Sequence, residues 1–195
     1  RKAIKLNPYF ENAYLNLGTI LKDLGKFKEA ELSIRKAIEI KPGFADAYFN
    51  LSLIELLKGN YKSGLEKYEF RFKTKKPYLQ HSRPKIKRKE NNEFTKGEKL
   101  LVISEQGLGD TIQFMRYVPF IRKLGLDISF CAQKKLHTLI KISGIDPNPL
   151  SPEEANEVSE GKWIPLLSLP KYLQIKPNNP IITGKYIQST EELKK

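Results

Sequence analysis

The sequence predicts an α plus α/β architecture, in which helical hairpins come first and a parallel sheet flanked by helices follows. Two observations lead to this prediction. Residues 1–72 repeat themselves at a spacing of 34, which is the period of a unit made of two helices and a turn. Residues 100–175 alternate short apolar runs with amphipathic stretches, an order typical of strands that are joined by helices.

The composition is typical of a globular protein in a reducing compartment. Of the 195 residues, 39% are hydrophobic, which is enough for a core, and the single cysteine, Cys131, excludes an intramolecular disulfide framework. No segment reaches the roughly 20 apolar residues of a membrane span, so a cytoplasmic location is expected. The two histidines, His81 and His137, are too far apart to predict a metal site. Because the chain opens at RKAIKLNP without Met and closes on STEELKK, which is typical of an interrupted helix, we expect a longer protein.

The repeat becomes clear when NAYLNLGTILKDLGKFKEAELSIRKAIEIKP is written above DAYFNLSLIELLKGNYKSGLEKYEFRFKTKK. Tyr14 then aligns with Tyr48, and Pro8 and Pro42 end successive units. Small residues at fixed positions let two antiparallel helices approach, and large apolar residues at helical spacing fill the space between them. The pattern resembles a tetratricopeptide array, with a partial first unit and two further units within residues 1–72.

Asn16 and Asn50 occupy equivalent positions in the middle of a helix, where asparagine is a mediocre helix former. The repeats resemble those of the protein O-linked N-acetylglucosamine transferase family, in which an asparagine at this position holds the backbone of an extended peptide. An amide suits that role because it both donates and accepts hydrogen bonds. The resemblance implies that Asn16 and Asn50 bind a protein or peptide. The alternative is that asparagine is common at this position of such repeats and binds no ligand in this protein.

Residues 73–99 form a predicted basic linker that carries much of the net charge of +13. Residues 72–99 have 10 basic and 3 acidic side chains, an excess of +7. Lysines outnumber arginines by 28 to 7 in the whole chain, and arginine is the better reader of bases and phosphates, so a nucleic-acid partner is not expected. The linker is either a solvated connector or a surface that contacts an anionic substrate or an anionic membrane surface. The cations concerned are Lys85, Lys87, Arg88 and Lys89.

Residues 100–195 are predicted to form a parallel-sheet domain. LLVISEQ and DISFCAQ are the first two predicted strands. DTIQFMRYVPFIRKLG and KKLHTLIKIS are the predicted helices, ended by Gly125 and Gly144. SPEEANEVSEGK is predicted to be a polar loop, and WIPLLSLPKYLQI a short strand followed by a helix from near Pro170. The order of strands and helices favours right-handed crossovers and hence an open α/β layer.

The turn QGLGD after the first strand is the predicted ligand site, since ligands of open α/β sheets bind at the carboxyl ends of the strands. Its two glycines, Gly107 and Gly109, permit backbone torsions closed to other residues and let a ligand approach the chain. The helix that starts near Asp110 presents unpaired amides. A dinucleotide turn needs a third glycine where this chain has Ile112, so a nicotinamide or flavin cofactor is not expected.

Three motifs follow the repeats in a fixed order: YEFRF at 68–72, EQGLGD at 105–110 and PLLSLP at 165–170. This order resembles a group of bacterial tetratricopeptide proteins. The strand, the GLGD turn and a helix with Pro119 are similar to the heptosyltransferase-like glycosyltransferases, whose GT-B architecture has two Rossmann-like domains. The resemblance implies the acceptor-side half of an enzyme that uses a nucleotide-sugar donor and no other cofactor. Nothing after residue 176 provides a donor-side half, so the chain by itself is expected to be inactive.

In those enzymes the aspartate of GLGD is the general base that takes the proton of the acceptor hydroxyl, which implies this role for Asp110. The turn around it is then expected to bind the substrate, through Glu105, Gln106, Gly107, Gly109 and Thr111. A second role for Asp110 remains open, because aspartate is also a favoured residue at the start of a helix. Two functions therefore remain: a glycosyltransferase whose acceptor is recruited by the repeats, and a non-catalytic scaffold for protein–protein interaction.

Overall fold

The computed structural model of the chain describes residues 2–180 and 184–188. The chain divides into two compact units, Arg1–Tyr78 with Ile175–Asn178 and Leu79–Gln174 with Asn179–Lys195. Unit 1 is helical and unit 2 contains a parallel sheet with helices, which confirms the predicted α plus α/β class. Within the described ranges, no helix has the length and apolar character needed to cross a membrane. The predicted helix at STEELKK lies outside the described residues.

Unit 1 consists of helical hairpins. Its helices are α1 (Lys2–Leu6), α2 (Glu11–Asp23), α3 (Phe27–Ile40), α4 (Ala45–Leu57) and α5 (Tyr61–Tyr68), followed by a 3₁₀ turn, Glu69–Phe72. The turns inside the two hairpins contain Gly25 and Gly59, with φ of +73° and +81°, a left-handed conformation that favours glycine. These turns reverse the chain so that α2 packs on α3 and α4 on α5.

Small residues bring the paired helices of unit 1 close together. A Cβ atom added to Gly18 would collide with the side chain of Ile34, and one added to Gly64 would lie 2.9 Å from Cγ of Leu56. Ile34 is fully buried, and burial of such a side chain stabilises the fold by about 1.5–3 kcal/mol. The core around it comprises Leu15, Leu21, Ala30, Ile34, Ala37, Phe44, Ala47, Leu51 and Ile54.

A network of charges joins α3, α4 and α5. The carboxylate of Glu55, 3% exposed, accepts hydrogen bonds from Arg35 at 3.3 Å and Lys67 at 3.1 Å. Glu31 accepts from Lys58 at 2.6 Å and from Arg35 at 2.8 Å. The hydrogen bond from Lys58, and then the one from Arg35, lower the pKa of Glu31 below its ordinary value of 4.5. The network therefore links the two hairpins through ionised groups.

The YEFRF motif ends the array around a buried arginine. Arg71 is fully buried, and its guanidinium lies 4.5 Å from the ring centre of Tyr68 and 4.0 Å from that of Phe72. Nη1 of Arg71 donates to Glu69 at 2.8 Å, so the buried cation is paired with an anion. Two aromatic faces and one carboxylate thus compensate for its loss of water.

Unit 2 is built on a sheet of three parallel strands, β1 (Lys99–Ile103), β2 (Asp127–Cys131) and β3 (Lys162–Pro165), in the order β2-β1-β3. Val102 of the central strand aligns with Phe130 on one side and Ile164 on the other. All three of these side chains are fully buried, as expected for a parallel sheet that is covered on both faces.

The helices of unit 2 are α6 (Leu108–Phe114), α7 (Tyr117–Lys123), α8 (His137–Ile142), α9 (Pro152–Asn156) and α10 (Leu169–Tyr172). The prediction of one helix from DTIQFMRYVPFIRKLG is wrong, because the chain breaks between α6 and α7. Pro119 has no N–H, and its ring clashes with the carbonyl four residues before it, that of Met115. The N–H of Val118 instead bonds the Met115 carbonyl at 3.0 Å in a tighter turn.

The segment SPEEANEVSEGK is not only a loop, because it contains α9. Ser151 accepts from the N–H of Glu154 at 3.3 Å, and Glu154 accepts from the N–H of Ser151 at 2.7 Å. Pro152 occupies the first helical position, which suits its fixed φ. This reciprocal cap is readable from the sequence, since serine is followed three residues later by glutamate.

The boundary between the units lies between Tyr78 and Leu79, inside the predicted basic linker. Residues 79–99 of that linker belong to unit 2. The N–H of Lys89 bonds the carbonyl of Trp163 at 2.9 Å, and the N–H of Trp163 bonds that of Lys87 at 3.0 Å. Lys89 is 2% exposed, with Nζ at 2.9 and 3.0 Å from the two carboxylate oxygens of Glu98. A solvated connector is therefore the wrong description of Lys89. Lys85 and Lys87 are exposed.

Candidate functional site

The predicted site lies at the carboxyl edge of the sheet, in the turn between β1 and α6. The torsions that glycine alone permits are not used here, since neither Gly107 nor Gly109 has a positive φ. The left-handed residue is Gln106, with φ of +63°. Gly107 is extended, with φ of −84° and ψ of 170°, and precedes the first residue of α6.

The glycines leave space above the turn. A Cβ atom added to Gly109 would have no described atom of the chain within 4 Å, and one added to Gly107 would meet Oδ2 of Asp110 at 3.2 Å. Both glycines are exposed. Their missing side chains therefore leave the backbone open to an approaching group, which is the second use of glycine that the sequence suggested.

Asp110 lies in the first turn of α6 and is half-buried. Its Oδ2 accepts a hydrogen bond from the N–H of Gly107 at 3.1 Å, the bond that an acidic residue makes back to the residue before a helix. Its Oδ1 has no hydrogen-bond partner among the described residues, and no buried, unpaired side-chain oxygen occurs among them. One oxygen thus stabilises the helix start while the other is open to solvent. A carboxylate held in this way can accept a proton from a hydroxyl group.

Glu105 and Thr111 are both fully buried. The carboxylate of Glu105 accepts from the N–H of Leu167 at 3.2 Å, which ties the end of β1 to the turn after β3. The hydroxyl of Thr111 lies 2.9 Å from Oε1 of Gln133, the second residue after β2. These two side chains therefore lie behind the turn, joining it to both neighbouring strands, whereas Gly107, Gly109 and Asp110 face outward.

Sequence reasoning missed three polar residues at this edge. Nδ1 of His81 lies 2.9 Å from the hydroxyl of Ser104, and Nε2 of His81 lies 3.5 Å from Nε2 of Gln133. Gln80 pairs with Glu105 in an antiparallel bridge, which brings His81 from the basic segment to the end of β1. The rule that places ligand sites after parallel strands indicates Gln133, but no local signal indicates His81.

The described residues contain no cluster of three or more histidine, cysteine, aspartate or glutamate side chains placed to hold a metal ion. His137 is engaged with the backbone, because its Nε2 lies 3.1 Å from the carbonyl of Ala132. Cys131 is buried, and burial raises the pKa of its thiol to about 12. The thiol is therefore a small core group.

The predicted peptide site lies on the first helices of the two hairpins of unit 1. Asn16 is exposed and has no hydrogen-bond partner among the described residues. Asn50 is half-buried; its Nδ2 donates to the carbonyl of Asp46 at 2.9 Å, and its Oδ1 lies 3.5 Å from the hydroxyl of Thr19 on α2. Neither amide belongs to the apolar core. The two positions therefore lie on neighbouring helices, and peptide binding by them stays a prediction.

Comparison with known proteins identifies the repeat. Residues 11–44, which span α2, α3 and the following turn, match the tetratricopeptide repeat family. No curated protein matches the chain in a sequence search. A solved structure of a mutant of the Thermobaculum terrenum O-GlcNAc transferase is similar, with a TM-score of 0.37 and 12% identity over 67% of this chain. The chain spans 32% of the length of that structure.

Proposed function

We propose that this chain is the acceptor-side part of a heptosyltransferase-like glycosyltransferase, in which Asp110 is the general base. The observation that supports the proposal is the geometry of Asp110 at the carboxyl edge of a parallel sheet. One carboxylate oxygen is held by the N–H of Gly107 at 3.1 Å, and the other has no hydrogen-bond partner among the described residues. This edge is where open α/β sheets bind their ligands.

The reaction requires this chain to orient the acceptor hydroxyl and to remove its proton. A sugar hydroxyl is a poor nucleophile until a base removes its proton as the new bond forms. Asp110 takes that proton, the hydroxyl oxygen bonds the anomeric carbon of the donor sugar, and the nucleoside diphosphate leaves with the electron pair of the broken bond. The bond from Gly107 fixes the carboxylate in one orientation, which lowers the entropy cost of the reaction.

The tetratricopeptide repeats would recruit the acceptor. Such arrays expose an extended surface on which a peptide can lie. Asn16 offers an exposed amide on α2 that has no hydrogen-bond partner among the described residues, and Asn50 lies on the neighbouring helix α4. We propose that a protein or peptide that carries the acceptor group binds along these two helices.

A second function is a non-catalytic scaffold that mediates protein–protein interaction. The bond between Asp110 and Gly107 also favours this function, because a helix cap makes the same bond without any chemistry. In the scaffold, the carboxylate would only stabilise the start of α6, and the repeats would carry the binding function.

Asp110→Asn separates the two functions in the whole protein that contains this chain. Asparagine keeps an oxygen for the N–H of Gly107 but cannot act as the base. We expect release of nucleoside diphosphate from a panel of nucleotide sugars, with a glycan or peptide acceptor, to fall by roughly 10²- to 10⁴-fold. The matched control is Asp127→Asn, at the exposed amino end of β2, which should leave turnover unchanged.

Turnover by Asp110→Asn within about threefold of the natural protein, far below the range for a lost base, would assign Asp110 to the cap. Absence of donor turnover in the natural protein across the panel, together with peptide binding by the repeats, would favour the scaffold.

A further inference from the structure

A chain of hydrogen bonds runs from the basic segment to the turn that carries Asp110. It begins at Ser104, whose hydroxyl lies 2.9 Å from Nδ1 of His81, and continues from Nε2 of His81 to Nε2 of Gln133 at 3.5 Å. Oε1 of Gln133 accepts from the hydroxyl of Thr111 at 2.9 Å. The same hydroxyl lies 3.3 Å from the carbonyl of Gly107.

The chemistry of these groups fixes where the protons are. The amide nitrogen of Gln133 only donates, so it points an N–H at Nε2 of His81, which must then carry no proton. The proton of the neutral ring is on Nδ1 and is donated to Ser104. Thr111 has a single hydroxyl proton, and it goes to Oε1 of Gln133, because that oxygen is the nearer acceptor.

Protonation of His81 would reverse the direction of these hydrogen bonds. A proton on Nε2 would face the amide N–H of Gln133, and a half-turn of that amide removes the conflict. Oε1 of Gln133 then accepts from Nε2 of His81, and Nε2 of Gln133 donates to the hydroxyl oxygen of Thr111. The hydroxyl proton of Thr111 is released to the carbonyl of Gly107, which also accepts the first backbone bond of α6, from the N–H of Thr111 at 3.2 Å. The half-turn also gives up the contact that Nε2 of Gln133 makes with the carbonyl of Gln106 at 3.5 Å, so it changes the peptide group between Gln106 and Gly107 as well.

We propose that His81 is a positioning residue for Asp110, acting through the amide of Gln133 and the hydroxyl of Thr111 on Gly107. This series of hydrogen bonds leads to Gly107, whose N–H donates to Oδ2 of Asp110 at 3.1 Å. The consequence for catalysis rests on the proposed function, whereas the coupling between His81 and Gly107 does not.

The ring of His81 contacts neutral side chains among the described residues, those of Ser104 and Gln133. Charged side chains also occur on its own segment and on the elements around it. They are Arg83 on its own segment, Glu105 and Asp110 around the turn, Lys134 and Lys135 after β2, and Glu153 and Glu154 on α9. None of these is within hydrogen-bond distance of the ring, so they bias its charge only through space.

The test is a nuclear magnetic resonance titration of the ¹⁵N-labelled chain from about pH 8 to about pH 5, the range in which imidazole titrates. At high pH the ring nitrogens of His81 should show the Nδ1–H tautomer. As the ring takes up a proton, the amide signals of Gly107 and Thr111 should shift with the same midpoint. His137→Gln is the matched control and should leave these shifts in place.

Gln133→Leu removes the amide that joins His81 to Thr111 and to the carbonyl of Gln106. In this variant the Gly107 signal should lose its dependence on the protonation of His81. An unchanged Gly107 shift in Gln133→Leu, or an Nε2–H tautomer at high pH in the natural chain, would overturn the proposal. If Gln133→Leu does not fold, Gln133→Glu replaces it. A carboxylate accepts from both His81 and Thr111, so no reversal is needed and the Gly107 signal should stay near its high-pH position throughout. A Gly107 shift as large as that of the natural chain would overturn the proposal.

The catalytic consequence is read in the whole protein with His81→Asn. The shorter amide can still donate to Ser104 but places no group at the position of Nε2. We expect kcat to lose the part of its pH dependence that follows His81, with KM unchanged. If the pH profile of kcat in His81→Asn equals that of the natural protein, His81 does not position Asp110, although the coupling between His81 and Gly107 would still stand. A failure of Asp110→Asn to lower turnover would instead remove the proposed function and leave the titration result unaffected.

Discussion

The two units of the chain differ in how many polar side chains they bury. Among the described residues, unit 1 buries four polar or charged side chains: Ser33, Ser52, Glu55 and Arg71. The described part of unit 2 buries nine: Ser82, Lys89, Ser104, Glu105, Thr111, Ser143, Asp146, Ser151 and Ser168. Both units therefore contain buried polar groups that must be paired, but unit 2 depends on about twice as many of them as unit 1.

The difference follows from what each unit has to hold in place. A helical hairpin satisfies its own backbone, so its stability depends on side-chain packing. A small parallel sheet has long connections at its ends, and these are held by side chains such as the buried Glu105 and the half-buried Arg122. Arg122 donates to the carbonyl of Ile145 at 2.5 Å and also pairs with the carboxylate of Asp146. Such pairing gives unit 2 an ordered edge and makes it sensitive to the loss of one partner.

The largest effect is expected from Glu98→Gln, which leaves the ammonium of Lys89 buried without its anion. Removal of one partner of a buried ion pair costs about 3–5 kcal/mol. The free energy of unfolding of unit 2 can be followed in urea through the fluorescence of Trp163, the single tryptophan of the chain. The matched control, Glu160→Gln, removes the anion of an exposed pair with Lys99 and should leave the free energy of unfolding almost unchanged.

Adding Lys89→Met to Glu98→Gln sharpens the same comparison. The double change removes both charges, so most of the lost stability should return. Equal costs for Glu98→Gln and Glu160→Gln would show that unit 2 does not depend on this buried pair.

A smaller effect is expected in unit 1 from Gly18→Ala, which adds a Cβ atom against Ile34. Overpacking of a helix contact costs about 1–3 kcal/mol, because the hairpin must open to accept the methyl group. Thermal unfolding followed by the circular dichroism of the helices measures the loss. Gly43→Ala is the control, since a Cβ atom there would meet no described atom within 4 Å. A melting temperature for Gly18→Ala equal to that of the control would contradict close packing as the basis of unit 1.

The smallest effect concerns Glu31 and pH. Its hydrogen bonds with Lys58 and Arg35 lower its pKa in the folded chain, so it stabilises unit 1 above its unfolded pKa. That contribution is lost as pH falls through the lowered folded value, below its ordinary 4.5. Glu31→Gln should therefore flatten the loss of stability of unit 1 in acid, measured by urea unfolding at several pH values. Glu39→Gln, an exposed glutamate on the same helix, should leave the acid dependence as it is.

The repeats were the more predictable part of the chain. Their period of 34, their glycines and their small residues are local signals, and α2 to α5 lie where these signals indicate. The break at Met115 was missed although Pro119 marks it, because an amphipathic pattern continues across the proline.

The polar edge of unit 2 was less predictable, because its partners are distant in sequence. His81 and Ser104 are 23 residues apart, and Glu105 reaches an amide 62 residues later. The charge run suggested that Lys89 is solvated, since nothing local indicates that Glu98 folds back onto it. The two glycines of GLGD indicated where unusual torsions are permitted, but the left-handed residue is Gln106, which precedes them.

The contacts of Arg71 with two rings and one carboxylate restrict how the YEFRF segment can vary between homologues. A guanidinium is flat and permanently charged, so when it is buried the rings and the acceptor replace the water that it has lost. Lysine at this position would keep the charge and lose the flat contact with the rings, whereas loss of Tyr68 or Phe72 would uncover a buried cation. Single substitutions here should therefore be rare, and the arginine, its two rings and Glu69 should be exchanged together or not at all.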